Sequence, residues 1–412
     1  MTFQETPAIS SHCWPRVATI VAASMVLLFA PFAVRAAAQD SRQDAIAAEQ
    51  AKKAQELKPY RPDKAERIVV SVKEKFLEEP NGFFPFFASV YSGGGFTLGG
   101  GYRQFYGDRT FWDVKGLYSA KNYKFVEIGT TSRELAGGRV NLVGRTGWRD
   151  ATQVAYFGLG METSPEARTN FRMKQGYVGA SVDVWPLKWL VFGGAATYED
   201  YTLEEGQGEF PSIEAVHTPE TAPGLGANPK YIHTEAKAAI DWRSSPGYSR
   251  KGGYYGIVVH DYADRDDAFS FKDLDAELVQ HIPILRENWV ISLRGSLQTE
   301  IGDNSNPPFF LLPSLGSGST LRGYQSWRFR DRHALLMSAE WRWIPNRLGL
   351  DMAIFYDAGK VAAERKDLSL NGLKSDWGIG ARFHGPISTP LRIEMAHGTE
   401  GWRLVFAGDA AF

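Results

Sequence analysis

In "NWVISLRGSLQTEIG", residues 288–302, the side chains separate into two sets. Trp289, Ile291, Leu293, Gly295 and Leu297 fall on one face of an extended chain, and Val290, Ser292, Arg294, Ser296 and Gln298 on the other. Successive side chains of a strand point to opposite faces, so this stretch reads as a strand with one apolar and one polar or small face. The same period of two recurs elsewhere. In "WRLVFAGDAAF" (402–412), Trp402, Leu404 and Phe406, with Phe412 at the end, oppose Arg403, Val405 and Asp409. In "PLRIEMAHG" (390–398), Leu391, Ile393 and Met395 oppose Arg392 and Glu394. In "YIHTEAKAAIDW" (231–242), Ile232, Ala236, Ile240 and Trp242 oppose His233, Glu235, Lys237 and Asp241.

Soluble sandwiches alternate as well, so turn lengths have to separate the two architectures. Sixteen strands are expected near 95–105, 110–120, 123–132, 139–148, 152–160, 173–185, 187–203, 230–243, 252–263, 270–284, 288–302, 333–344, 348–361, 375–384, 389–397 and 401–412. The long connections, 204–229, 303–332 and 362–374, follow odd-numbered strands, whereas those after even-numbered strands are short, such as "AKNY", "DAT" and the turn at "PL". Short turns at one end and long loops at the other are the layout of outer-membrane barrels, with strands of roughly ten residues. "FFPFFASVYS" at 83–92 is a further candidate strand that would shift the count. The terminal strand ending at Phe412 resembles the signal by which bacterial outer-membrane barrels are recognised for insertion.

Composition agrees. The chain has 412 residues, a net charge of −1, one cysteine, 13% aromatics and 42 glycines. Near-neutral charge argues against a general nucleic-acid binder. The uncharged run Val17–Val34 after Arg16, closed by Ala36-Ala37-Ala38, reads as a signal peptide covering 1–38, cleaved before Gln39 or alternatively after Ala36. A membrane anchor is the competing reading of that run. Cys13 would leave with the signal, which removes disulfides, thiol catalysis and thiolate metal sites together. No later apolar run approaches the roughly 20 residues of a spanning helix, so a membrane location requires a closed barrel. Residues 39–82, rich in Ala, Gln, Lys and Glu, form an expected helical periplasmic segment, leaving 83–412 as the barrel.

The connection 303–332 contains "GSGSTLRGYQSWRFRDR" (316–332), with Arg322, Arg328, Arg330 and Arg332 in one outside loop. A solvated loop touching lipopolysaccharide phosphates is one reading. The following strands offer another. With Leu335, Met337, Ala339, Trp341 and Trp343 on the greasy face, Glu340 turns inward; with Leu350, Met352, Ile354 and Tyr356 there, Asp357 turns inward. An arginine loop folded into the lumen would meet carboxylates that accept charge-assisted, two-pronged hydrogen bonds.

"LRGY" (321–324), "FRDR" (329–332), "SAEWRWIP" (338–345), "FYDAGKV" (355–361) and "TPLRIEMAHG" (389–398), in that order, resemble the C-terminal half of the BamA/TamA outer-membrane barrel superfamily, the bacterial surface-antigen family that includes two-partner secretion transporters. The N-terminal half matches in pattern only, through "FTLGGGYRQF" (96–105) and "YFGLGMETSPEARTNFR" (156–172). The resemblance implies an all-β, 16-stranded antiparallel transmembrane barrel. Its sixth outside loop, between the eleventh and twelfth strands, enters the lumen, and the independent count puts 303–332 there. It also implies a loop–lumen lock of Arg322, Gly323 and Tyr324 with the acids Glu340 and Asp357. A tight turn at 345–347 would set Asp357 about five residues, roughly 17 Å, beyond the partner of Glu340. One arginine is then expected to grip one acid, with Asp357 the first choice. Family members that fold or secrete proteins carry POTRA domains before the barrel, each longer than the 44 residues of 39–82, so a member lacking them is expected. The family's first and last strands form a weak seam, which the glycines of "GGGFTLGGGY" (93–102) could serve; simple curvature accounts for them equally well.

No enzyme is expected. His217, His233, His260, His281, His333, His384 and His397 are scattered in the sequence without a Ser–His–acid arrangement. "HDYADRDDAF" (260–269) carries Asp261, Asp264, Asp266 and Asp267 but lacks the glycine and closing glutamate of a calcium loop, and reads as a solvated tip. "GLGMETSPEARTNF" (158–171) lacks the phosphate-loop pattern. No cofactor, metal or nucleic acid is therefore expected. The expected partners are outer-membrane lipid, lipopolysaccharide and protein clients. The expected role is translocation or membrane insertion, the alternative a passive or plugged pore without clients.

Overall fold

A computed structural model describes residues 46–50, 52 and 81–408, apart from 87, 108, 246, 286, 303–304, 345–349, 385–388 and 390. The expected signal peptide, most of the segment 39–82 and the C-terminal Phe412 lie outside the described residues. Residues 46–50 are helical and belong to a unit that ends at Ile68. No helix among the described residues is long and apolar enough to cross a membrane.

The second unit is a sheet of strands in chain order. These are β1 (Gly82–Pro85), β2 (Thr97–Phe105), β3 (Thr110–Ser119), β4 (Lys124–Glu134), β5 (Val140–Tyr156), β6 (Thr169–Leu187), β7 (Leu190–Glu205), β8 (Lys230–Asp241), β9 (Gly252–Asp264), β10 (Phe271–Ile284), β11 (Trp289–Ile301), β12 (Ser314–Leu315), β13 (Phe329–Arg330), β14 (His333–Trp343), β15 (Leu350–Ala362), β16 (Lys374–Phe383), β17 (Leu391–Gly398) and β18 (Gly401–Ala407). Sixteen of them form one antiparallel sheet, and β12 and β13 make a separate two-stranded ribbon in the connection between β11 and β14.

Burial along each strand is the reverse of a soluble protein's. Ile232 is 60% exposed, Leu278 56%, Ile354 51% and Leu404 60%, while Asp351, Asp357 and Arg392 are each at 0%. Every one of the sixteen strands exposes a large apolar side chain, from Phe83 on β1 to Phe406 on β18. An apolar outside and a charged inside suit a wall whose solvent is lipid, and the chain is a transmembrane β-barrel.

The total of sixteen conceals two compensating differences from the sequence reading. Residues 152–160, expected as a strand of their own, continue β5 as far as Tyr156, and Gly82–Pro85 supplies the first strand instead. The expected turn "DAT" is a bulge between Ala151 and Val154 within the β5–β6 ladder. Asp150 resembles a turn residue in isolation, but its carboxylate accepts two bonds from Arg172 on β6, each of 2.8 Å. Beyond the bulge, β5 loses its alternation because Ala151, Val154 and Tyr156 pack with Phe171, Phe309 and Ile213 in a core built by the long connections. As a result β2, β3 and β4 run opposite to the expected direction, and "AKNY" (120–123) lies at the long-loop end.

Among the described residues the ladder does not close the cylinder. Among the described residues β1 pairs only with β2 and β18 only with β17. β1 has four residues, one of them Pro85, which has no N–H to donate to a neighbour. Beside β18 lies a cavity of about 610 Å³, lined in part by Gly94 and Phe96 of the stretch after β1, by Ser317 and Gly318, and by Val405 and Ala407.

Candidate functional site

β14, β15 and β17 carry Glu340, Asp357 and Glu394 on the charged side of the sheet, because each is an inward position of an alternating strand. The connection between β11 and β14 brings Arg322 to all three. Arg322 Nε donates to Asp357 Oδ2 at 2.7 Å and Nη2 to Asp357 Oδ1 at 2.9 Å, a two-pronged pair. Nη1 donates to Glu340 Oε2 at 3.1 Å and to Glu394 Oε1 at 3.3 Å. The guanidinium carbon lies 3.4 Å from the centroid of the Phe355 ring, a cation–π contact, and Arg322 is 2% exposed.

That one arginine reaches both expected acids corrects the sequence reading, which allowed it only one. The register pairs Glu340 with Phe355 and Ser338 with Asp357. Asp357 is therefore two residues from the partner of Glu340, about 7 Å, instead of five. The turn expected at 345–347 lies outside the described residues, between β14, which ends at Trp343, and β15, which begins at Leu350.

Three residues of the cluster were not singled out from the sequence. Arg382 on β16 donates through Nη1 to Glu340 Oε1 at 2.5 Å, again to the same carboxylate through Nη2, and to Glu394 Oε1 at 3.0 Å. Arg392 Nη1 donates to Glu394 Oε2 at 2.6 Å. Three guanidiniums thus face three carboxylates. Burying these charges is tolerable only because each is paired and hydrogen-bonded. The available signal was alternation: Arg392 and Glu394 stand on the polar face of their strand, and the register sets Arg382 opposite Arg392.

The loop is tied down along its length. Gly318 O accepts from Arg392 Nη2 at 2.8 Å, and Ser319 O from Arg294 Nη1 at 2.8 Å. A Cβ on Gly323 would meet Asp376 Cβ at 2.6 Å and Gly398 N at 2.7 Å, so the loop approaches the wall closer than any side chain allows. Tyr324 donates its hydroxyl to Ser375 O at 3.1 Å and sits 3.1 Å from Thr399 Oγ1. Leu315, Leu321 and Phe329 pack with Tyr324 against Leu336 and Val361 of the wall. Of the other loop arginines, Arg328 Nε pairs with Glu400 Oε1 at 2.7 Å. Arg330 is buried and donates to Phe309 O at 2.9 Å, and burial lowers its pKa from the ordinary value. Arg332 pairs with Glu300 at 3.3 Å and stays half-exposed.

This loop, with β8–β11 before it and β14–β17 after it, lies inside the stretch 223–400 that matches the Omp85 superfamily domain. Over that stretch the chain is similar to the Omp85 superfamily domain. No curated protein matches the chain. Among solved structures, the BamA of Haemophilus ducreyi lacking POTRA domains 1–3 is similar at 15% identity with a TM-score of 0.55, over 80% of this chain and 70% of that one. The CdiB of Escherichia coli is similar at 10% identity with a TM-score of 0.50, over 78% of this chain and 59% of that one. These likenesses establish the fold: Omp85 β-barrels reside in the bacterial outer membrane, and the apolar belt and charged interior are those of such a barrel.

Proposed function

We propose that this Omp85 barrel is of the translocation or membrane-insertion type, and that the loop 303–332 occupies its lumen, locked there by Arg322, Gly323 and Tyr324 against Glu340 and Asp357. The observation that carries the reading is the nearly inaccessible Arg322, which makes a two-pronged bond to Asp357 and further bonds to Glu340 and Glu394. Removing one partner of a buried pair costs about 3–5 kcal/mol, because the remaining charge is stranded. A loop held that firmly acts as a gate on the path through the barrel. The edges β1 and β18, which do not pair with one another among the described residues, are the place where a client or a lipid would enter from the side. The reading invokes no covalent chemistry. It includes a signal peptide over 1–38 and a periplasmic segment over 39–82, with outer-membrane lipid around the apolar belt and lipopolysaccharide and protein chains as partners. Intact mass of the membrane-extracted protein tests the first of these: a mature chain beginning at Gln39 is expected, and a retained N-terminus refutes it.

One observation favours the passive alternative. Phe309 and Phe310 of the same loop pack with Tyr156, Phe171 and Tyr201 in a core of buried aromatics, which suits a permanent plug. Planar-bilayer recording of Arg322→Ala tests the lock. Raised conductance with new protease cleavage inside 303–332 is expected, and wild-type values of both overturn it. Crosslinking in cells followed by purification separates the two roles. Trapped non-native barrel or secreted chains support translocation, and a barrel recovered without any supports the plug.

A further inference from the structure

A second cluster lies on the charged face of β7–β10, away from the arginine loop. The sequence reading treated its histidines as scattered, but the β8–β9 register sets Glu235 opposite His260, with His233 two residues along on the same face. His233 Nε2 is 3.1 Å from His260 Nδ1, 3.7 Å from Glu235 Oε1, and the third edge, His260 Nδ1 to Glu235 Oε1, is 4.0 Å. The donors around a tetrahedral zinc, with bonds of about 2.0–2.2 Å, stand about 3.3–3.6 Å apart, and edges of 3.1, 3.7 and 4.0 Å bracket that size, so side-chain shifts of about half an ångström suit the triangle to an ion. The other nitrogen of each ring faces a carboxylate: His233 Nδ1 is 3.2 Å from Glu199 Oε1 and His260 Nε2 is 3.6 Å from Asp275 Oδ2. A carboxylate accepts and does not donate, so it draws the ring proton to its own side. With the ring protons on those sides, His233 Nε2 and His260 Nδ1 face one another at 3.1 Å as two acceptors, which a cation between them would satisfy. Glu199 is itself fixed, since Tyr201 donates to its Oε2 at 2.7 Å and Gln175 donates to Tyr201 at 2.9 Å. Tyr262 stacks on the His233 ring at 3.8 Å. The His233 side chain is 7% exposed and the Glu235 side chain 32%, so an ion arrives from the Glu235 side.

We infer that His233, His260 and Glu235 bind a divalent transition metal of the zinc class, oriented by Glu199 and Asp275. Two imidazoles and a carboxylate suit such an ion better than calcium or magnesium, which take oxygen ligands. The bound ion would fasten β8 to β9 near the long-loop end of the barrel and leave a fourth position open to solvent.

The test uses the full-length untagged protein folded in detergent, stripped with a chelator and titrated with zinc chloride against a chromophoric indicator, then with cobalt chloride. One zinc per chain and the visible bands of a four-coordinate cobalt site are expected. His260→Ala should abolish stoichiometric binding, and Glu199→Gln and Asp275→Asn should each weaken it about 10–100-fold. Heat-modifiable gel mobility shows which variants are folded, and the conservative Glu199 and Asp275 variants carry the test if His260→Ala is not. Absence of saturable zinc binding, or wild-type affinity in the folded variants, overturns the site, and a shared proton then holds the two rings together.

Discussion

The arginine cluster of β14–β17 and the histidine cluster of β7–β10 share one face of one sheet, yet settle their charge in opposite ways. In the first, Arg322, Arg382 and Arg392 meet Glu340, Asp357 and Glu394, with every side chain between 0% and 3% exposed. Guanidinium does not lose its proton in proteins and its donors are set in a rigid fork, so this cluster is a fixed fastener. In the second, each imidazole nitrogen can donate or accept, and Glu235 and Asp275 are 32% and 39% exposed at the side chain. That cluster is open to exchange with solvent. The arginine cluster holds a loop onto the wall, while the histidine cluster holds only adjacent strands that the ladder already joins.

The largest effect that would break this contrast is expected from Arg322→Ala. It leaves Asp357 and part of Glu340 and Glu394 buried without a partner, a loss of about 3–5 kcal/mol in loop attachment. Proteolysis within 303–332, read by mass spectrometry, should rise sharply while heat-modifiable mobility persists. His260→Ala, on the same protein, should leave that cleavage pattern unchanged. If both variants release the loop, the two clusters are coupled and the contrast fails. Arg322→Lys sharpens it: an ammonium has no fork and should fall between alanine and wild type.

A smaller effect is expected from Gly323→Ala. The added carbon meets the backbone of Gly398 and the Cβ of Asp376, both closer than 3.0 Å, and a backbone neighbour cannot rotate away. Overpacking of this kind costs about 1–3 kcal/mol. Loop cleavage should therefore increase, though less than in Arg322→Ala. Wild-type protection would mean that the loop is not pressed against β16 and β17.

The difference between the clusters also explains which was legible in the sequence. Alternation put Glu340 and Asp357 on the inner face without any knowledge of register, and "LRGY" with "FYDAGKV" marked both sides of the contact. Register was the harder quantity. A β14–β15 register about three residues from the expected one moved Asp357 from five residues to two from the partner of Glu340, and turned a single grip into a shared one. Arg382 and Glu394 depend on the same information, since their meeting needs the β16–β17 register. His233 and His260 are 27 residues apart and meet only through the β8–β9 pairing, so a local motif search passes over them. The strands themselves were legible where one face meets lipid. They were misread where neither does: past Asp150 the chain is buried on both sides, and at Gly82–Pro85 four residues with a proline give little period to read.

The smallest expected effect tests whether the loop's attachment is ionic alone. Tyr324→Phe keeps the ring, which packs edge-on to Phe329 at 5.2 Å between centroids, and removes only the hydroxyl. That hydroxyl donates to Ser375 O and neighbours Thr399, tying the loop to the ends of β16 and β17. A net hydrogen bond is worth about 0.5–1.5 kcal/mol, and the carbonyl of Ser375 would be left partly unsatisfied. A two- to tenfold rise in loop cleavage rate is the corresponding expectation, since about 1.4 kcal/mol is a factor of ten. The variant is informative in combination with Arg322→Ala. If the loop is one cooperative unit, Tyr324→Phe should add little once the arginine is gone, because neighbouring contacts on the same segment are lost together. If instead the two losses multiply, the Arg322 and Tyr324 attachments open independently, and the ionic cluster alone does not hold the loop.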